Sequence, residues 1–381
     1  MKQTLALLGS FLFLACGDSE GSGGAGGSTG QTTTGQTTTG ATMTTSSSSS
    51  TGTGGDGGAP PVTALEHLVG RFDESDPAGP TATWSGTSYL TRIDGTDLSI
   101  DLEGPAGVFF QVVVDGAPTE VFQTEAGASP YVVASGLPAG THDVLVYRRV
   151  EGFFGAVQFR GFVPGNGTTQ VESASPYVHR VEFIGDSITC GYGVEGPNES
   201  CNFSGDTESA YETYAAIASR NVGAAAHLVA YSGKGVFQNY GGDPNEPMPV
   251  LYERTLTDDS GPTWDFGKFT PEAVVINLGT NDFSAPVAEA DFVGAYVDLL
   301  GTVRGHYPNA AIFCVTWQHW GAENQGYVLS AIDQFADSNV HSVEFSIDPN
   351  DGWGCDYHPS LVTHQKLGQV LTTAFEQTLG W

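Results

Sequence analysis

The chain has 381 residues, with 13 basic against 43 acidic side chains and a net charge of −30. That balance excludes nucleic acid and anionic membrane surfaces as partners, since both repel a strongly acidic protein. Apolar residues make up 39% and aromatic residues 11%, which is ample core material for a solvated protein acting on neutral or weakly charged substrates.

Met1-Lys2 supplies a positive start, Leu5 to Leu14 is mostly apolar, and Ala15-Cys16 follows. The apolar run is too short to cross a bilayer, so residues 1–16 read as an export signal. A small residue directly before a Cys resembles the bacterial lipobox, in which the Cys becomes the lipidated first residue; Phe13 and Leu14 depart from that pattern. The alternative is ordinary cleavage nearby. The expected location is the bacterial cell surface or outer membrane as a lipoprotein, otherwise secreted, with membrane contact only through a lipid on Cys16.

Residues 17–61 are almost entirely Gly, Ser and Thr, and Gln31-Thr32-Thr33-Thr34-Gly35 repeats at once as Gln36-Thr37-Thr38-Thr39-Gly40. Such a segment has too little apolar surface to offset backbone ordering, so it is predicted to be a disordered tether. A coil of about 45 residues reaches roughly 35–40 Å.

Residues 62–170 carry short strand patterns at 83–91, 98–102, 107–114, 131–134, 142–149 and 156–162. They are separated by the turn sequences Asp94-Gly95, Asp115-Gly116 and Pro138-Ala139-Gly140. Short strands at this spacing predict an all-β sandwich. From 171 to 381 the pattern changes. Strands are predicted at 181–184, 226–231, 273–278 and 311–315. A helix is predicted over 208–220, with a capping box from Ser209 to Glu212, and further helices through Phe292 to Val303, over 327–335 and over 361–379. The continuous apolar runs, such as Ala273-Val274-Val275-Ile276, suit parallel strands buried on both faces. The alternation predicts a three-layer α/β/α domain with a parallel, flavodoxin-like sheet, where function gathers at the carboxyl ends of the strands.

Three segments fall at such ends. In Gly185-Asp186-Ser187-Ile188-Thr189 a Ser leaves a strand at a sharp turn, which exposes a hydroxyl that needs a base to become nucleophilic. In Gly279-Thr280-Asn281-Asp282 the Asn amide is suited to stabilise an oxyanion. In Trp353-Gly354-Cys355-Asp356-Tyr357-His358-Pro359 a His precedes the last helix with an acid two residues earlier, the parts of an oriented general base. Each alone is an ordinary turn; the specificity lies in their order and placement.

Together these segments resemble the SGNH hydrolases. The resemblance implies Ser187 as nucleophile and His358 as base. It implies oxyanion donors at Asn281, at the Ser187 N–H, and in Ala230-Tyr231-Ser232-Gly233-Lys234-Gly235, with Gly233 the block glycine by position and Gly235 the alternative. The preceding sandwich, the longer run through Cys190-Gly191-Tyr192-Gly193, Ser232-Gly233-Lys234-Gly235 and Gly354-Cys355-Asp356-Tyr357-His358-Pro359 resemble carbohydrate esterase family two over residues 65–381. That family implies a jelly-roll domain ahead of an SGNH domain, and removal of acetyl groups from xylan or glucomannan, with acetylated polysaccharide as the partner. Alternatives are an esterase for another acylated glycan, such as O-acetylated cell wall, or a vestigial carbohydrate-binding lipoprotein. The superfamily's acid lies three residues before the His. Here that position is Cys355, which leaves Asp356, or a backbone carbonyl, to orient His358.

Trp317 and Trp320 follow a predicted strand and are candidates to stack on a sugar; covering the core edge is the alternative. Phe109, Phe110, Phe153 and Phe154 read as sandwich core. Setting Cys16 aside, four cysteines remain, and pairing Cys190 with Cys201 and Cys314 with Cys355 is the favoured of three connectivities. No C-x-x-C or clustered His supports a metal, and the chemistry needs no cofactor. A monomer is expected.

Overall fold

The computed structural model describes residues 62–258 and 262–381. The predicted leader, Cys16 and the tether lie outside the described residues, within which no helix is long and apolar enough to cross a membrane.

The first part is an antiparallel sandwich. One sheet runs in the order Thr81–Ala82, Val157–Pro164, Leu98–Glu103, Tyr131–Ala134. The other runs Thr169–Val171, Ser88–Asp94, Thr141–Arg148, Phe109–Val114, Ala117–Gln123, with Glu66–Val69 also paired to Ser88–Asp94. Alternate residues point inward, so Tyr89, Ile100, Leu102, Phe110, Val112, Val144, Val146 and Phe159 fill one core. Two details differ from the sequence pattern. The strand predicted from Thr83 begins at Ser88, because Trp84 leaves the sandwich to join the core of the second domain. Strand Ala117–Gln123 is almost wholly exposed, so no apolar alternation marks it in the sequence.

The second part is built on five parallel strands: β1 (His179–Gly185), β2 (Ala224–Ala230), β3 (Ala273–Asn277), β4 (Ala311–Trp317) and β5 (Val340–Phe345). Their order is β2-β1-β3-β4-β5. The helices are α1 (Ser187–Cys190), α2 (Tyr214–Asn221), α3 (Met248–Tyr252), α4 (Glu289–His306), α5 (Gly321–Phe335) and α6 (Leu361–Leu379). Successive strand residues face opposite layers: Val181, Phe183 and Val275 pack with α2 and α6, whereas Ile184, Val274 and Ile276 pack with α3, α4 and α5. The order reverses between β1 and β3, which opens a crevice at their carboxyl ends. The helix predicted over 208–220 breaks up. Residues 205–212 form two single 3-10 turns, and α2 begins only after its Thr213 cap. There the Ala210 N–H bonds to Arg149 O of the sandwich, and buried Glu208 and Ser209 line that seam, so cross-domain contacts replace helical ones.

The seam is extensive and polar. Arg71 and Glu182, on β1, form a fully buried ion pair at 3.2 Å. Arg71 also donates to Tyr252 O and Arg254 O, and Glu182 accepts from the Tyr252 and Tyr307 hydroxyls. Trp84 Nε1 donates to Thr255 O at 2.8 Å, and the Thr257 N–H to Thr83 Oγ1 at 2.8 Å. Removing one partner of a buried pair leaves the other charge uncompensated. Arg71→Ala is therefore expected to lower the unfolding free energy by about 3–5 kcal/mol in denaturant titration, with sandwich and α/β domain losing stability together.

Candidate active site

Ser187 opens α1 at the end of β1. Asp186 caps this helix: its Oδ1 accepts the Ile188 N–H at 3.0 Å. Gly185 allows the turn, since a Cβ there would meet Thr189 Oγ1 at 2.1 Å. Ser187 is buried, 8% exposed, with its hydroxyl engaged by His358. Burial pushes the Asp186 carboxyl up to about 7, against the bond from Ile188.

His358 lies 171 residues later and comes within 2.9 Å of Ser187 Oγ through Nε2. Its Nδ1 is 3.2 Å from both Cys355 O and Asp356 O. Two carbonyls can only accept, so Nδ1 carries the proton and Nε2 is left as the base. The turn that supplies these carbonyls has two non-glycine residues in the left-handed region, Asp356 (φ 51°) and Tyr357 (φ 60°). The Asp356 carboxylate makes no hydrogen bond to the histidine. It accepts from the Tyr192 hydroxyl at 3.0 Å, and the Tyr192 ring stacks on His358 at 4.3 Å and on Phe203 at 3.9 Å. Asp356 thus reaches His358 by way of Tyr192 and its own carbonyl. Burial lowers the His358 pKa toward about 4, opposed by the two carbonyl bonds, while the residue as a whole stays partly accessible.

The expected cysteine pairing is corrected by the structure. Cys201 bonds to Cys355, while Cys190 and Cys314 are free and buried. Cys314 sits inside β4 facing the α4–α5 layer, and Cys190 ends α1, so neither strand nor helix brings it to a partner. The disulfide instead ties the loop after α1 to the turn whose carbonyls hold His358.

Gly233 adopts φ 79°, and a Cβ there would meet nothing within 4 Å, so it faces open space. Gly235 is closed in: a Cβ would lie 2.0 Å from Gln238 O, and its N–H points at Asn239 Oδ1 at 3.4 Å. Asn281 Nδ2 donates to Lys234 O at 2.8 Å and lies 3.2 Å from Asp186 Oδ2. The following loop is pinned by Asp282, which accepts the N–H groups of Val236, Phe237 and Gln238 at 2.8–3.0 Å.

The tryptophans separate. Trp317 is fully buried, with Nε1 donating to Asn277 Oδ1 at 2.8 Å; it is core and not available to a sugar, because β4 is covered on both faces along its whole length. Trp320 is partly exposed, lies against Gly279 and meets Phe283 edge-on at 5.1 Å. Phe153 is also corrected: it is 46% exposed, outside the sandwich core, and meets Phe203 and Tyr231 edge-on. Tyr240, 49% exposed, donates its N–H to Gly233 O. Asp186, Tyr192 and Tyr240 carry site geometry that the sequence reading did not assign. Asp186 was findable as an acid directly before the turn serine; Tyr192 stood in the run that carries the family resemblance, without a role of its own.

A strand-end serine engaged by a histidine from the last loop of a parallel sheet defines a serine hydrolase of the GDSL class. In keeping with this, the family model of GDSL-like lipases and acylhydrolases matches residues 183–366. The model for the carbohydrate esterase 2 N-terminal domain matches residues 68–173. A solved family two carbohydrate esterase from Clostridium thermocellum, in complex with cellohexaose, is 40% identical, with TM-score 0.79 over 83% of this chain and 99% of that one. The chain belongs to carbohydrate esterase family two. It is also 41% identical over 321 residues to the cellulase/esterase CelE of Acetivibrio thermocellus, covering 82% of this chain and 39% of that protein. It is 27% identical over 338 residues to an acetylxylan esterase / glucomannan deacetylase of Cellvibrio japonicus, covering 82% and 91%.

Two outcomes follow from this geometry. Asp356→Asn keeps an acceptor for Tyr192 and tolerates the left-handed turn, so kcat is expected to fall by less than about 10-fold, far from the roughly 10,000-fold of a carboxylate bonded directly to the base. A loss of that larger size would show that the carboxylate orients His358 directly. Burial disfavours the imidazolium, so the base stays neutral below the ordinary histidine range. The acid limb of kcat/KM for an aryl acetate is accordingly expected well below pH 6.5, toward about 4.

Proposed function

We propose that the protein is an exported serine esterase that removes O-acetyl groups from a plant-type polysaccharide, acetylxylan or acetylglucomannan, through an acetyl-enzyme. The observation that carries this reading is the 2.9 Å contact of His358 Nε2 with Ser187 Oγ, with Nδ1 held by two carbonyls. The substrate class rests on the relatives, named as acetylxylan esterase / glucomannan deacetylase and as cellulase/esterase. The partly exposed rings of Trp320, Tyr240 and Phe153 support it, since aromatic faces suit the C–H face of a pyranose.

In the cycle, His358 Nε2 takes the Ser187 proton as Oγ attacks the acetyl carbonyl. The carbonyl oxygen becomes the oxyanion, facing the Ser187 and Gly233 N–H groups and Asn281 Nδ2. One Asn281 N–H stays on Lys234 O, and the longer contact, to Asp186, is the one exchanged for the oxyanion. The tetrahedral intermediate collapses, the C–O bond to the sugar breaks, and His358 returns the proton to the sugar alkoxide. Water, deprotonated by His358, then attacks the acetyl-enzyme, the bond from the acetyl carbon to Ser187 Oγ breaks, and His358 returns the proton to Oγ as acetate leaves.

Ser187→Ala is expected to abolish hydrolysis of an aryl acetate, and equal rates for both proteins would refute the serine mechanism. Asn281→Ala is expected to lower kcat about 100–1,000-fold. Acetate release from acetylated xylan, glucomannan and peptidoglycan then ranks the substrates; peptidoglycan ahead of the plant glycans would overturn the substrate assignment. Export is supported by the Cys201–Cys355 bond, which suits an oxidising compartment. Cys16→Ala is expected to move the protein from the membrane to the soluble fraction; unchanged fractionation would refute a lipid on Cys16.

A further inference from the structure

The sandwich domain reaches the oxyanion loop with a carboxylate. Glu151 follows strand Thr141–Arg148 and is fully buried. Its Oε2 accepts the Ser232 N–H at 2.7 Å, and its Oε1 accepts from the Ser232 hydroxyl. Ser232 directly precedes Gly233. On the other side, Lys234 O is held by Asn281 Nδ2 at 2.8 Å, and Gly233 O accepts the Tyr240 N–H at 2.9 Å. The peptide that presents the Gly233 N–H is therefore fixed from one end by the catalytic asparagine and from the other by a carboxylate of the neighbouring domain.

The segment bearing Glu151 is itself made rigid. Buried Arg148 donates to Ala82 O, Val150 O, Glu151 O and Gly155 O at 2.8–3.2 Å, which sets the backbone of the turn from inside. The Glu151 N–H donates to Glu208 Oε1 at 3.3 Å, and Glu208 and Cys190 lie against the Glu151 carboxylate, with Arg148 near both acids. Burying a carboxylate against neutral donors is costly, and a well-packed apolar residue commonly gives equal or greater stability. What an apolar residue cannot supply is two acceptors aimed at one serine.

We propose that Glu151 is a positioning residue for the oxyanion hole: by fixing Ser232 from the sandwich domain it aims the Gly233 N–H at the oxyanion formed on Ser187. The assignment rests on the serine-esterase reading above. It makes the sandwich part of the catalytic apparatus rather than an independent carbohydrate-binding appendage.

The test compares the full chain with Glu151→Gln, Glu151→Ala and Ser232→Ala, using an aryl acetate as substrate and methylboronic acid as a probe of the tetrahedral state. Glu151→Gln retains one acceptor and nearly the same volume, so it is expected to fold. Its kcat is expected to fall about 10–100-fold with KM changed less than about 2-fold, and its boronate affinity to fall by the same factor as kcat/KM. Glu151→Ala is expected to lose more. Ser232→Ala, which keeps the N–H contact, is expected to lose less than Glu151→Gln. Wild-type kcat and boronate affinity in folded Glu151→Gln and Ser232→Ala, or losses that only track the folded fraction, would overturn the proposal. An inactive wild type, or a Ser187→Ala protein as fast as wild type, would instead refute the serine mechanism and the assignment with it.

Discussion

The hydrogen bond between His358 and Ser187 sets the constraint that the surrounding structure answers. It is short-ranged and directional, yet it joins residues 171 positions apart. The sheet supplies the coarse solution by placing both residues at one edge of the crevice beside β1. The fine solution is local. A capped helix turn holds Ser187, a left-handed turn brings two carbonyls to Nδ1, Tyr192 packs on the imidazole face, and a disulfide joins the two loops. Orientation of the base is thus divided among backbone, ring and covalent bond, and no single carboxylate carries it.

The same division governs the oxyanion side. Gly233 is left-handed and open to the crevice, but its position is set by its neighbours. Asp282 pins the chain after it, Asn281 holds Lys234, and a sandwich carboxylate meets Ser232. The domain seam is accordingly more than a packing surface. Arg71 pairs with Glu182 across it, and Trp84 fills a core that belongs to the other domain. The two domains share one buried network, so a change in their relative placement would be felt at the catalytic loop.

The sequence made the chemistry legible where residues announce their own local geometry. Helix α6 was predicted at its full length from its apolar period, and Ser360 caps it. Strands β3 and β4 were visible as continuous apolar runs, and β1 as an apolar strand broken only by Glu182 at its centre. What stayed hidden depends on contacts far away in the chain. Strand β5 is half-polar at the sheet edge, and Ala117–Gln123 is exposed, so neither shows a distinctive pattern. Residues 208–212 carry a capping-box pattern but answer to the seam. Trp317 and Trp320, three apart, look alike in sequence, and only the closure of β4 on both faces separates a core residue from a crevice one. Cysteine pairing failed for the same reason: spacing along the chain says nothing of which loops meet. Glu151 had no signal beyond a charge at the end of an apolar strand.

The order of the site along the chain has a consequence for biosynthesis. The nucleophile and its capping aspartate are translated first, Gly233 and Asn281 later, and the base last of these. Because the imidazole is held by the Cys355 and Asp356 carbonyls and by a ring near residue 192, it gains its orientation only when the last loop docks. Until that loop docks, Ser187 is without the imidazole that its hydroxyl meets in the folded chain.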